Sequence, residues 1–183
     1  MKKGLIWIGT GLLLAVFALI GYLFYLGAFS DITLTEKETG PYRLAYSVHY
    51  GAYSGIGRVM DSVYSSLEAA GIKTTKGFGI YYDDPKSTPE KQLRSIGGCI
   101  IESGDISKLA KLGKSITTGV LPRTKGITAE IPFKGMPSVF VGLMRVYPAI
   151  ADHIKSKGYK GGPIMEIYDM PAGKIIYITP ILK

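Results

Sequence analysis

The sequence predicts an α+β domain behind an N-terminal transmembrane helix: two pseudo-repeated strand-helix-strand-strand modules sharing one antiparallel sheet, with both helices on one face and a cleft on the other. Three observations carry this. Gly4 to Phe29 contains no charged residue. The chain beyond it runs through one order of elements twice. In the second pass a carboxylate, Glu166, sits inside a run that otherwise reads as a buried strand. A chain of 183 residues is long enough for one well-cored domain beside such a helix.

The uncharged stretch would reach about 39 Å as a helix at about 1.5 Å per residue, enough to cross a hydrocarbon layer of about 30 Å. It reads as an anchor occupying residues 1–30. A signal peptide is the rival, with Ala28-Phe29-Ser30 as a poor cleavage site, but the apolar run is much longer than a signal's apolar core. Lys2 and Lys3 precede the helix, whereas Asp31, Glu36, Lys37 and Glu38 follow it without positive excess. The charge bias therefore predicts a single-pass protein with a cytoplasmic N-terminus and its domain on the non-cytoplasmic side.

Residues 31–183 form the domain, in halves 31–103 and 113–183. In the first, Tyr42, Leu44, Tyr46, Val48 and Tyr50 alternate with Arg43, Ala45, Ser47 and His49, a strand period with an aromatic face; Gly126 to Phe133 is its counterpart. A short extended piece before each main strand, Ile32 to Thr35 and Ser115 to Val120, is expected to pair with it as a hairpin. Ser54 and Ser138 stand where helix N-caps belong. Ile56, Val59, Met60, Val63, Tyr64 and Leu67 make one helical stripe, and Phe140, Leu143, Met144, Tyr147, Ala151 and Ile154 the other. Pro148 should kink the second helix. Gly71 and Gly158 suit the helix ends. A strand closing in Asp-x-Pro follows each helix, then a last strand, Leu93 to Ile101 and Lys174 to Ile181. The halves are offset by 84 residues at Gly51 and Gly135 and by 86 at Tyr82 and Tyr168. Residues 105–112 read as a short joining helix.

Glu166 shares its strand face with Ile164 and Tyr168, opposite Met165 and Ile167. A carboxylate among apolar neighbours needs solvent, a buried partner or a ligand; a half-exposed strand is the plain alternative. Other constellations point away from chemistry. His49 and His153 are the only histidines and have no cysteine or carboxylate cluster, so no metal or other cofactor is expected. Cys99 lies in an apolar run and reads as a packed thiol. Asp83 and Asp84 before Pro85 are turn chemistry, and Ser54 has no base partner. The net charge of +8, or +6 without Lys2 and Lys3, is scattered with no interleaved aromatics, so no nucleic-acid partner is expected, and a solvated face or contact with anionic lipid heads is the better match.

From Ile32 to Leu182 the chain resembles the GyrI-like small-molecule-binding domain, also seen as the effector-binding domain of AraC-type and MerR-type regulators. The likeness rests on the paired halves, on Gly-Ile-Tyr-Tyr-Asp-Asp-Pro at 79–85, and on Glu-Ile-Tyr-Asp at 166–169 with Tyr-Ile-Thr-Pro-Ile at 177–181. An anchor before such a domain, with Pro-Phe-Lys-Gly at 132–135 and Arg-Val-Tyr-Pro at 145–148, is similar to the testis-expressed endoplasmic-reticulum autophagy-receptor type and its bacterial relatives. The resemblance implies paired SHS2 modules and multidrug-type binding of flat, lipophilic, often cationic molecules in an aromatic cleft around a glutamate. Glu166 stands at the matching position of the motif, and Tyr168, Tyr82, Tyr46, Tyr50, Tyr53, Phe140 and Ile80 are the residues expected to line the cleft with it, Ile80 at the mirror position. Three function classes follow. A membrane-anchored binding module comes first. A hydrolase of strained, cyclopropane-containing molecules, pairing Glu166 with Tyr82 or Tyr168, comes second. An adaptor comes third, on the expectation that little follows the last strand.

Overall fold

A computed structural model of the chain describes residues 2–102, 108–110, 112–113 and 115–182. Helix α1 (Lys2–Tyr25) leads into β1 (Thr35–Thr39) and β2 (Tyr42–Tyr50). Helix α2 (Ile56–Ala69), β3 (Lys76–Tyr81) and β4 (Arg94–Ile100) complete the first half. The second half is β5 (Thr117–Leu121), β6 (Thr124–Pro132), α3 (Met136–Lys157), β7 (Ile164–Asp169) and β8 (Lys174–Pro180). Of the expected joining helix at 105–112, residues 105–107 and 111 lie outside the described residues, and 108–110 form a 3-10 turn.

The strands form one antiparallel eight-stranded sheet in the order β1-β6-β8-β7-β3-β4-β2-β5. The order is a palindrome of the two halves, with β3 and β7 meeting at its centre. The expected hairpins do not form: β1 pairs with β6 and β5 with β2, so each half lends its short strand to the other. Each main strand has its own half's last strand on one side and the borrowed strand on the other.

Alternation along the strands sorts the core into layers. On one face Val63 and Leu67 of α2 pack on Ala45 and Cys99, while Val146 and Ile150 of α3 pack on Ile127, Ala129, Ile175 and Tyr177. On the other face Leu44, Phe78, Ile80, Met165, Ile167 and Ile178 form a separate cluster, with Tyr42 and Tyr46 against it. The serines do not cap as expected. Tyr53–Gly55 is a 3-10 turn ahead of α2, and the N-cap of α3 is Gly135 at φ 81°. Ser138 lies inside the first turn of α3, donating to the Gly135 carbonyl at 2.7 Å and accepting the Lys134 N–H at 2.9 Å. Gly158 closes α3 in the left-handed conformation, as its position suggests.

Register also defines two ends of the sheet. Lys76, Asp169, Lys174 and Pro132 share one end; Tyr81, Ile164, Ser95 and Tyr50 share the other. The last turn of α1 meets the first of these: Leu26 is buried, and Pro132 lies within contact distance of Gly27. Lys134 places its ammonium 5.2 Å from the centre of the Tyr25 ring, and the Arg145 guanidinium donates to the Ala28 carbonyl. Residues Trp7–Tyr25 are apolar, with mean hydropathy 2.1, and none of this stretch is buried against the domain. It is long and apolar enough to cross a membrane.

Candidate functional site

Glu166 stands at the middle of β7 and is 1% exposed. Its neighbours across the sheet are Gly79 on β3 and Tyr177 on β8. Three phenols converge on the carboxylate. Tyr147 of α3 donates to Oε1 at 2.8 Å, Tyr168 donates to Oε2 at 2.5 Å, and the Tyr81 hydroxyl supplies a third hydrogen bond. Tyr81 reaches it by folding back over Gly79, where a Cβ would lie 2.9 Å from its hydroxyl. Burial raises the Glu166 carboxyl above the ordinary carboxylate range, and the hydrogen bonds from Tyr168, Tyr147 and Tyr81 partly offset that. The three phenols are raised in turn, by burial first and by the Glu166 charge second, so they remain protonated donors.

A fourth phenol, Tyr177, is buried beside this group, and its hydroxyl has no hydrogen-bond partner among the described residues. It abuts Gly142 of α3, where any Cβ would fall 1.9 Å from it. Gly142 is therefore the groove that admits Tyr177 under α3.

Above Glu166 a cleft of about 1770 Å³ opens between α2 and α3. Ile56, Met60 and Tyr64 form one wall, Met136, Phe140, Leu143 and Tyr147 the other, and Tyr81, Glu166 and Tyr168 the floor. The cleft exceeds the roughly 300–1,000 Å³ typical of drug-sized ligand sites. Its charged lining is mostly acidic, with Asp61, Asp83, Asp84, Glu90, Asp152 and Glu166 against Lys76 and Lys86. In a chain of net charge +8 this is a local inversion of sign.

The cleft is on the helix-bearing face, not the opposite face as expected from sequence. The reason is that α2 and α3 stand apart over the sheet, each on its own core cluster, leaving the central strands uncovered between them. Of the residues singled out, Glu166, Tyr168, Tyr53, Tyr82 and Phe140 line the cleft. Tyr82 is at the rim, 45% exposed. Tyr53 braces the floor: its ring meets Tyr81 edge-on at 4.9 Å, and its hydroxyl donates to the Asp83 carbonyl at 2.8 Å. Ile80, Tyr46 and Tyr50 do not line it. Ile80 pairs with Met165 and packs in the opposite cluster with Tyr46, while Tyr50 is exposed at the sheet's end on that same face of β2. An offset of 86 residues aligns Ile80 with Glu166, yet a strand slipped by one residue turns to the other face. Tyr81 and Tyr147, which hold Glu166, were not selected from sequence. Tyr147 was legible only as part of an apolar stripe, and Tyr81 only as the neighbour of Tyr82.

A sequence model of the GyrI-like small molecule binding domain matches residues 33–179. The chain belongs to this family. Human Testis-expressed protein 264 is 26% identical over 187 residues, covering 96% of this chain and 56% of that protein. Its mouse homolog is 26% identical over 170 residues, covering 87% and 52%. The chain thus spans about half the length of these relatives. The GyrI-like fold is shared with the C-terminal domain of EcmrR, at TM-score 0.59 and 13% identity over 83% of this chain and 98% of that one. It is shared also with SAV2435, solved bound to tetraphenylphosphonium, at TM-score 0.54 and 12% identity over 82% and 93%.

Proposed function

We propose that this GyrI-like chain is a membrane-anchored binding protein for lipophilic cations, which lie between α2 and α3 with their charge over Glu166. The observation that carries the reading is a buried carboxylate at the floor of an open apolar cleft. Charge attraction to Glu166 is strong in such a low-dielectric setting, and the surrounding aromatic rings stack on a flat or delocalised cation. The acidic rim raises the local concentration of cations. The tetraphenylphosphonium named for SAV2435 is a ligand of this chemistry. Helix α1 holds the domain at a membrane, and the charge bias at Lys2 and Lys3 favours the non-cytoplasmic side.

The test is a titration of the full chain in lipid nanodiscs with tetraphenylphosphonium and with a neutral ligand of similar shape. Glu166→Gln should weaken the cation by about 1.5–3 kcal/mol, roughly one to two decades of affinity, and leave the neutral ligand nearly unchanged. Equal responses would refute the charge role. Cation affinity should also rise with pH as Glu166 ionises, and that rise should be missing in Glu166→Gln.

A further inference from the structure

We propose that the end of the cleft rimmed by Met136, Phe140 and Met170 rests on the same bilayer that α1 crosses, so that lipophilic ligands enter from the lipid. The inference rests on the reading of α1 as a membrane helix, and it adds where the domain sits and how its site is loaded.

The aromatic residues at the end of α1 mark a level. Tyr22 and Tyr25 are stacked at 6.4 Å, Phe24 and Phe29 lie 4.5 Å apart, and all four are largely exposed. Aromatic side chains at the end of a membrane helix occupy the bilayer–water interface. Lys134 is tied to that level by its ammonium over Tyr25, and Arg145 by its bond to Ala28. Met136 begins α3 two residues after Lys134 and is 66% exposed. Met170 follows β7 at the same end of the sheet and is 58% exposed, and the Phe133 N–H bonds the Gly173 carbonyl to hold the two loops together. Phe140, one turn further along α3, is 62% exposed.

All three rim residues line the cleft, so the exposed apolar patch and the mouth are one surface. Lys134, two residues before Met136, is exposed beside it, which suits anionic headgroups. A soluble surface would gain nothing from unburied methionines and phenylalanine here, whereas a membrane interface accepts apolar side chains to a depth of about 5–10 Å.

The experiment uses the full chain in vesicles containing phosphatidylcholine brominated on its acyl chains, which quenches tryptophan on contact. Trp7, the only tryptophan, reports on α1 in the natural sequence. In a Trp7→Phe background, Met136→Trp and Met170→Trp should each lose emission to an extent comparable with Trp7. Tyr50→Trp, 67% exposed at the opposite end of the sheet, should lose none. All three sites are exposed, so the replacements leave the core untouched, and circular dichroism confirms folding. Quenching of Trp7 without quenching at either rim position overturns this inference and leaves the anchor standing. No quenching of Trp7 removes the anchor itself. Equal quenching at Tyr50→Trp means the domain lies on the bilayer without the orientation claimed.

Discussion

The two halves share an order of elements and differ in what they present to the cleft. On the helix-bearing face the strand positions of the first half include Gly77, Gly79 and Gly97; those of the second include Glu166, Tyr168 and Tyr177. The contrast is complementary. Gly79 lies directly across from Glu166, and its missing side chain is the space through which Tyr81 reaches the carboxylate. Gly97 admits the first turn of α2, since a Cβ there would stand 2.8 Å from Ile56. One half is hollowed so that the other can be filled. A duplicated scaffold thus builds a single asymmetric site, which symmetric halves with two facing carboxylates would make electrostatically costly.

The largest expected effect tests the hollowed half. At Gly98 a Cβ would sit 2.0 Å from the Ala45 carbonyl oxygen and 2.7 Å from the Tyr46 Cα, both backbone atoms that cannot turn aside. Gly98→Ala should cost about 3 kcal/mol or more in denaturant unfolding. Gly79→Ala meets only the far end of Tyr81, so it should fold nearly as well yet weaken cation binding by displacing that phenol. If Gly79→Ala proves as damaging to stability as Gly98→Ala, the glycines serve packing alone.

The filled half is tested through its hydroxyls. Tyr147→Phe removes one donor from Glu166 while keeping the ring, at a cost of about 1.5–3 kcal/mol to the ionised form. Glu166 should then ionise at still higher pH, which the midpoint of the cation-affinity profile reads directly. Tyr64→Phe on the α2 wall, a phenol that is not among the donors to Glu166, should leave the midpoint in place.

Stability against pH offers a smaller but signed effect. The folded state keeps the Glu166 proton to higher pH than the unfolded state does, because its carboxyl is raised by burial. Between the ordinary carboxylate value and the raised one, the folded state therefore binds more protons, and its stability falls as pH rises through that window. Without ligand, Glu166→Gln should lack this fall, and the difference between the two unfolding curves isolates it. A wild-type curve that rises relative to the variant across this window would contradict the buried-carboxylate reading.

The smallest effect compares the turns. Asp83 and Arg94 pair at 2.8 Å in the first half, and Lys174 and Glu130 at 2.6 Å in the second. The Arg94 and Lys174 side chains both reach solvent, so Arg94→Ala and Lys174→Ala should each lower the unfolding midpoint only slightly, and less in high salt. The acidic partners are held below the ordinary range mainly by these hydrogen bonds.

The sequence by itself determined the elements. The apolar run, the alternation from Tyr42 to Tyr50, the two helical stripes and the glycine at the end of α3 all act through contacts within a few residues, and each is found where local periodicity placed it. It also determined that Glu166 was anomalous and that it shared a face with Tyr168. Only the tertiary structure decided which face carried the cleft, because alternation separates two faces without saying which of them the helices cover. Only it decided that β1 and β5 cross to the other half, since strand partners are chosen by long-range hydrogen bonding that leaves no period in the chain. And only it distinguished Tyr81 from Tyr82 and Gly79 from Ile80. A shift of one residue in the β3–β7 register exchanges every side chain between core and cleft, and that register is set by contacts nearly ninety residues apart.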